Sequence, residues 1–382
     1  MTGLPRLDSV AQIVDCEHKT APESKYGIPF AYSIGTPALR GANVDFKQAK
    51  PINEETYLAW TRRAVPVAGD LIFAREAPVG GVGFVKGDRR ICLGQRTVLI
   101  RTDSKHLDSK FLFYALKSPL VQRWIQDRST GSTVEHLNVA DVRSLPLPFY
   151  PPLPEQKRIA AVLGALDDLI EIDQELEAIC ENLAVASVEA SGSNARLSDF
   201  AEIAPTETRL PIARTDHYSL PAFDLGRMPQ RIDASEIKSN KIILQEPVVL
   251  VSRLNPRTPR IWMVYPDLAV TCAASTEFVP VIGKQVSTEE VWALCSSEQF
   301  LSQMTRLVTG TTGSHQRVDK KLILSLNVPN ISKIDSLKRT AIRSLVAQAQ
   351  AARVEVQLLV RTRNELLPLL MSGRISVKAG SA

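Results

Sequence analysis

The sequence predicts a mixed α/β (α+β) protein: two tandem globular domains, each followed by a long helix, with the two helices paired as an antiparallel coiled coil. Three observations predict it. The chain repeats itself at a spacing near half its length, two long apolar-striped segments carry opposite charge, and the stretches between them hold short strand-like runs bounded by turn residues.

The repeat is read from collinear matches. Thr130-Gly131-Ser132-Thr133, followed by His136, returns as Thr309-Gly310-Thr311-Thr312, followed by His315. Upstream of each, Tyr114-Ala115-Leu116-Lys117-Ser118 answers to Trp292-Ala293-Leu294-Cys295-Ser296, and the openings Arg6-Leu7-Asp8-Ser9 and Arg196-Leu197-Ser198-Asp199 also correspond. A period of 20 to 50 residues would indicate a solenoid; a period of about 190 means two whole domains, each large enough to bury a core. The expected boundaries are 1–150 and 192–332 for the globular parts and 151–191 and 333–373 for the helices. A flexible tail follows at 374–382.

Within the globular parts, Leu71-Ile72-Phe73-Ala74, Val82-Gly83-Phe84-Val85 and Thr97-Val98-Leu99-Ile100 read as strands. Their counterparts are Val248-Val249-Leu250-Val251, Ile261-Trp262-Met263-Val264 and Phe278-Val279-Pro280-Val281. β-branched and aromatic enrichment between turn residues such as Ala68-Gly69-Asp70 is the basis. Residues 108–128 and 288–307 read as helices leading into the two Thr-Gly loops, and Ser191-Gly192-Ser193-Asn194 reads as a linker.

The long helices follow from spacing and charge. Ile159, Val162, Leu166, Leu169, Ile172, Leu176, Ile179, Leu183 and Ala186 step by threes and fours; so do Ile342, Leu345, Ala349, Ala352, Val356, Leu359, Leu366 and Leu370, with Arg363 at an expected core position. Residues 153–191 hold 2 basic and 9 acidic side chains, and 336–382 hold 8 and 2, so the segments carry −7 and +6 and should attract each other. Pro154-Glu155 suits a helix start and Gly373 a helix stop. At ~1.5 Å per residue each helix is a rod of roughly 50 Å, comparable to about 15 base pairs of duplex.

Composition narrows the function classes. A chain 44% hydrophobic and 23% charged is an ordinary globular protein. Its five cysteines, at 16, 92, 180, 272 and 295, include no C-x-x-C pair, so neither a disulfide framework nor a zinc site is expected. The absence of a leader-like or membrane-spanning run leads to the expectation of a cytoplasmic protein. The net charge of +5 is compatible with nucleic-acid binding. No Walker segment and no Asn/Asp-Pro-Pro-aromatic segment of adenine methyltransferases is found, and Asn255-Pro256-Arg257 lacks the second proline and the aromatic. Pro266-Asp267 with Glu277 lacks the lysine of a nuclease pattern, and His136 and His315 lack spaced partners for a metal or a triad.

The run from Thr130 to Asn138, then Leu145-Pro146-Leu147-Pro148 and Pro151-Pro152-Leu153-Pro154-Glu155-Gln156-Lys157-Arg158-Ile159-Ala160, resembles the DNA specificity (S) subunit of type I restriction-modification systems. Leu366-Leu367-Pro368-Leu369-Leu370-Met371-Ser372-Gly373 resembles its C-terminal signature. The second half departs: Asn327-Val328-Pro329 runs into Asn330-Ile331-Ser332-Lys333 without the Pro-Leu-Pro-Glu-Gln start. The resemblance implies two target recognition domains that read a bipartite sequence in double-stranded DNA. It also implies helices that space them and dock two methyltransferase subunits, with nuclease/translocase subunits joining in some complexes. It implies a non-catalytic chain without cofactors, S-adenosylmethionine and ATP belonging to the partners.

Reading DNA needs donors and acceptors at base edges and cations at phosphates. The Thr-Gly loops, Thr130, Gly131, Ser132, Thr133 and Thr309, Thr311, Thr312, are small and polar, and His136, Asn138, His315, Gln316 and Arg317 lie behind them. They either approach the phosphate backbone or simply turn helix into strand with their hydroxyls capping. Arg62, Arg63, Arg89, Arg90, Arg96, Arg253, Arg257 and Arg260 are candidate guanine readers or phosphate clamps, and Lys320 and Lys321 candidate phosphate contacts. The competing class is a coiled-coil scaffold of a multi-subunit complex that binds no DNA.

Overall fold

The computed structural model describes residues 5–378 apart from 26, 40–42, 132–134 and 308–315. It divides into two units, residues 1–171 with 357–382 and residues 172–356. Both long helices are thus shared, each giving one part to each unit.

In unit 1 the strands are β1 (Ala11–Asp15), β2 (Ala31–Ile34), β3 (Lys50–Ile52), β4 (Leu71–Ala74), β5 (Val82–Phe84), β6 (Ile91–Leu93) and β7 (Thr97–Thr102), and the helices α1 (Glu54–Trp60), α2 (Ser109–Lys117), α3 (Pro119–Arg128) and α4 (Val139–Ser144). Helix α5 (Leu153–Glu189) leads out of it. Unit 2 holds β8 (Asn194–Arg196), β9 (Ala201–Ile203), β10 (Thr208–Arg209), β11 (Thr215–Tyr218), β12 (Gln230–Ile232), β13 (Lys241–Leu244), β14 (Val248–Ser252), β15 (Ile261–Val264), β16 (Thr271–Ala274), β17 (Phe278–Gly283) and β18 (Asn327–Pro329). Its helices are α6 (Leu220–Asp224), α7 (Thr288–Cys295), α8 (Glu298–Arg306) and α9 (Lys320–Ile323), before α10 (Ser336–Leu370).

The repeat is a repeat of topology. Unit 1 has an antiparallel sheet β1-β7-β4-β5, and unit 2 has β9-β17-β14-β15 in the same order. A second sheet, β3-β2-β6, pairs β2 with β6 in parallel; in unit 2, β12-β11-β16 pairs β11 with β16 in parallel and continues through β13 to β10. Strand β4 is buried on both faces: Leu71 and Phe73 join one apolar cluster, Ile72 and Ala74 another, as the two-residue period of a strand requires. Helix α2 covers the first cluster with Phe111, Leu112 and Leu116, where α5 adds Leu163 and α10 adds Leu370. In unit 2 the corresponding core joins Val249, Val251, Val279 and Val281 to Trp292 and Leu294 of α7, Ala184 and Val188 of α5, and Ile342 and Val346 of α10.

The helices pair in both units, but not along the expected seam of α5. The α10 stripe is as read, with Ile342, Ala349, Ala352, Val356 and Leu370 buried. On α5 the buried face is Ile159, Leu163, Ile170, Cys180, Ala184 and Val188, whereas Leu169, Ile172, Ile179 and Leu183 are exposed. The arginines of α10 explain the choice. Arg363 bonds Asp167 at 2.7 Å in unit 1, and Arg353 bonds Glu177 at 2.9 Å in unit 2; ten residues forward on α5 match ten backward on α10, one antiparallel register. A guanidinium buried like that of Arg353, or largely buried like that of Arg363, is costly without a carboxylate, so the face of α5 that carries Asp167, Glu177 and Glu181 wins over the more apolar one.

The two helix starts are held differently. In unit 1, the fully buried Gln156 accepts from the Asp108 N–H at 2.9 Å and donates to the carbonyls of His106 at 3.2 Å and Pro151 at 2.9 Å. In unit 2, Arg339 donates to the fully buried Glu290 of α7 at 2.7 and 3.1 Å, with Arg343 at 3.5 Å. Burial alone would raise the Glu290 pKa, but the bonds from Arg339 and the Ser287 N–H outweigh it and hold the carboxyl below its usual range. Helix α10 stops at Gly373, whose φ of +69° suits glycine and whose Cβ would meet Phe149 at 2.7 Å.

Candidate nucleic-acid interface

The first Thr-Gly loop closes on itself and onto the end of β4. Thr130 and His136 exchange backbone bonds at 3.0 and 2.9 Å, and Thr130 Oγ1 lies 3.3 Å from His136 Nε2. His136 bridges Glu76, and Leu137 donates to the carbonyl of Arg75 at 2.9 Å. Arg75 N in turn donates to the carbonyl of Arg96 at 2.9 Å, so three segments meet: the end of β4, the turn before β7 and the return of the loop. Arg75 is buried beneath them; its Nη1 donates to the Leu137 carbonyl at 3.2 Å and its Nη2 lies 3.7 Å from Asp15. Above it Arg96, at a left-handed φ of +68°, holds Glu76 through Nη1 at 2.9 Å.

Unit 2 builds the same frame from different side chains. Arg253 N donates to the carbonyl of Glu277, Val318 N to the carbonyl of Arg253, both at 2.9 Å, and Leu254 bridges Arg317. Arg253 is therefore the counterpart of Arg75, Leu254 of Glu76, Glu277 of Arg96 and Arg317 of His136. This corrects the register read from the sequence, which set His315 against His136: the second loop is two residues longer, and Arg317 occupies the closing position. Arg317 grips Glu277 with two bonds, at 3.1 and 2.9 Å, which raises its pKa further. In both units the arginine Nε beneath the loop, of Arg75 and of Arg253, is buried with no partner among the described residues, as is Gln316 Oε1.

Residues 6–181, which hold the first of these frames, match the family model described as the type I restriction modification DNA specificity domain. The chain is similar to that domain over this stretch, somewhat less than half of its length. It is 31% identical over 137 residues to the putative type I restriction enzyme MjaX specificity subunit of Methanocaldococcus jannaschii, covering 35% of this chain and 31% of that protein. It is 30% identical over 117 residues to the MjaIX specificity subunit of the same organism, covering 31% of this chain and 26% of that one. The matched stretch thus spans about a third or less of these relatives. The crystal structure of an M. genitalium type I S subunit is similar over 96% of this chain and 95% of its own, with a TM-score of 0.61 at 16% identity, a likeness of fold.

The other arginines of unit 1 are placed unequally. Arg63 donates to the carbonyls of Asp15 and Cys16 at 3.3 and 2.9 Å and sits 3.5 Å from Glu17, and Arg62 caps the end of α1 through the Ala59 carbonyl at 3.2 Å. Arg89 and Arg90 are exposed and lie over the rings of Phe46 and Phe30 at 4.5 and 4.4 Å. Asn138, exposed, precedes α4 without a side-chain capping bond.

In unit 2, Arg260 is a strut: its side chain is 12% exposed and doubly bonded to Asp224 at 2.7 and 2.8 Å. Arg257, Lys320 and Lys321 are exposed, the lysines opening α9 behind the Asp319 cap. Ser132, Thr133, Thr309, Thr311, Thr312 and His315 lie outside the described residues. Arg75 and Glu76 were not picked out from the sequence, and Glu277 was weighed only as part of a nuclease-like pattern. The signal for Arg75 was there, an arginine directly after a buried strand in both halves.

Proposed function

We propose that this chain is the sequence-specific DNA-binding subunit of a type I restriction-modification complex, a non-catalytic reader of a bipartite target that docks methyltransferase subunits and, where present, nuclease/translocase subunits. The observation that carries the reading is the duplicated frame: the same three segments, joined by the same backbone bonds, present charged side chains in each of two topologically equal units. A two-part target needs two readers of one architecture with different side chains. The Thr-Gly loops, Arg89, Arg90 and Arg257, and Lys320 with Lys321, serve as backbone and base contacts in this reading, and Arg62, Arg63 and Arg260 serve mainly to hold the readers' shape.

The paired helices act as spacer and docking surface. Leu169, Ile172, Ile179 and Leu183 lie exposed on α5 at heptad spacing, an apolar stripe of the kind a partner helix covers. The cofactors S-adenosylmethionine and ATP belong to the partners, and the complex works in the cytoplasm. The test is to assemble the chain with its methyltransferase subunits and map the methylated sites. A bipartite motif is expected, with affinity falling steeply with salt and differing between duplex sequences. Adding one turn to both paired helices is expected to widen the gap between half-sites. Binding that is indifferent to sequence, or no binding to duplex at all, leaves the scaffold reading instead.

A further inference from the structure

The two frames differ in one systematic way. Unit 1 places Glu, Arg and His at the three rim positions, 76, 96 and 136; unit 2 places Leu, Glu and Arg at their counterparts, 254, 277 and 317. The carboxylate–guanidinium pair is present in both but moved along by one position. It is half exposed in each, with side-chain exposures of 49% and 19% for Arg96 and Glu76 and of 45% and 27% for Arg317 and Glu277. A merely stabilising surface pair would contribute little, and nothing in the shared backbone frame requires it to move.

We propose, on the footing of the DNA-reading function above, that Glu76–Arg96 and Glu277–Arg317 are the specificity-determining pairs of the two units, each reading one G·C base pair. The chemistry is complementary: a guanidinium can donate to guanine O6 and N7, Arg96 through its Nε–Nη2 edge and Arg317, whose Nε and Nη2 hold Glu277, by turning donors from the carboxylate to the base, and a carboxylate accepts from the N4 amino group of the paired cytosine. Each carboxylate tethers its arginine beforehand, by one contact in unit 1 and two bonds in unit 2, so less side-chain freedom is lost on binding. In unit 1 the Nε–Nη2 edge of Arg96 makes no hydrogen bond or ion pair among the described residues, and a cleft of about 240 Å³ opens beside it, whose polar lining comes from Thr20, Ser33, Gln48, Lys50 and Gln95. The shift by one position aims the pair differently in each frame, which gives the half-sites different positions or orientations for their G·C pair.

The test uses the assembled methyltransferase complex and two double variants, Glu76→Gln with Arg96→Gln and Glu277→Gln with Arg317→Gln, with methylated sites mapped for each. Every variant should relax one G·C position in one half-site by roughly tenfold or more, leave the other half-site unchanged and change no other position. The untouched half-site is the control for folding and assembly. The proposal is overturned by a motif that stays the same, by half-sites without a G·C pair, or by uniform weakening of both. If the wild-type complex shows no bipartite preference at all, the fault lies in the function proposed above rather than in the pairs.

Discussion

The two long helices solve the same problem with opposite chemistry. Helix α5 is seated in unit 1 by a neutral amide, Gln156, which joins the loop before α2 to the turn that starts the helix; α10 is seated in unit 2 by a buried carboxylate, Glu290, answered by Arg339. The amide satisfies three backbone groups and leaves no charge behind. The ion pair takes two charges out of water and survives only because its geometry is good and the Ser287 N–H supplies another bond. The lesson is that a repeated architecture keeps the position of a latch and is free in what the latch is made of.

The comparison breaks most visibly at Arg339. Arg339→Leu strands a buried carboxylate, and unit 2 is expected to lose about 3 kcal/mol, the lower end for breaking such a pair because Arg343 remains nearby. Hydrogen exchange should locate the loss at α7 and the start of α10, with α2 unaffected. The pH response sharpens it. A carboxyl held below its ordinary value stabilises fully above the unfolded pKa, near 4.3, and that stability fades as pH falls through the folded value. Without Arg339, burial should raise the Glu290 pKa above the unfolded value, so acidification would now favour the folded unit. Denaturant titrations at pH 4 and 7 would show the slope change sign.

Gln156→Leu should cost less, about 1–3 kcal/mol, because it strands the Asp108 N–H and two carbonyls but no charge. Its effect should be independent of pH between 4 and 7, read as faster exchange at the start of α2 and α5. The smallest effect is expected at Lys86, whose exposed bond to Glu171 at 3.1 Å ties the turn after β5 to α5. Lys86→Ala should change stability by less than about 1 kcal/mol and vanish at high salt.

The fold class was legible because strand, helix and repeat signals are local, and Gly373 stopped α10 where its left-handed backbone was needed. The face of α5 was not, because apolar spacing offered two stripes; only Arg353 and Arg363 on the other helix decide between them, and that decision is tertiary. Arg363 standing at a core position was the clue. In the candidate site, the Thr-Gly motif marked the segment that closes the frame in unit 1, but its echo aligned His315 with His136. The two-residue difference in loop length shows only through the bonds of Val318 and Leu137 to the arginines below. Glu76 drew no notice, and Glu277 only as part of a nuclease-like pattern, because a carboxylate beside expected phosphates looks out of place until its arginine is seen.

Unit 2 is one continuous stretch, 172–356, whereas unit 1 closes only with 357–382. Leu370 and Met371 sit in the core of unit 1, and Arg158 donates to the Val377 carbonyl at 3.0 Å. During synthesis, then, unit 1, begun first, must wait for residues 357–382 to be made, while unit 2, begun later, can finish ahead of it. Removing residues 357–382 would injure the fold of residues 1–171.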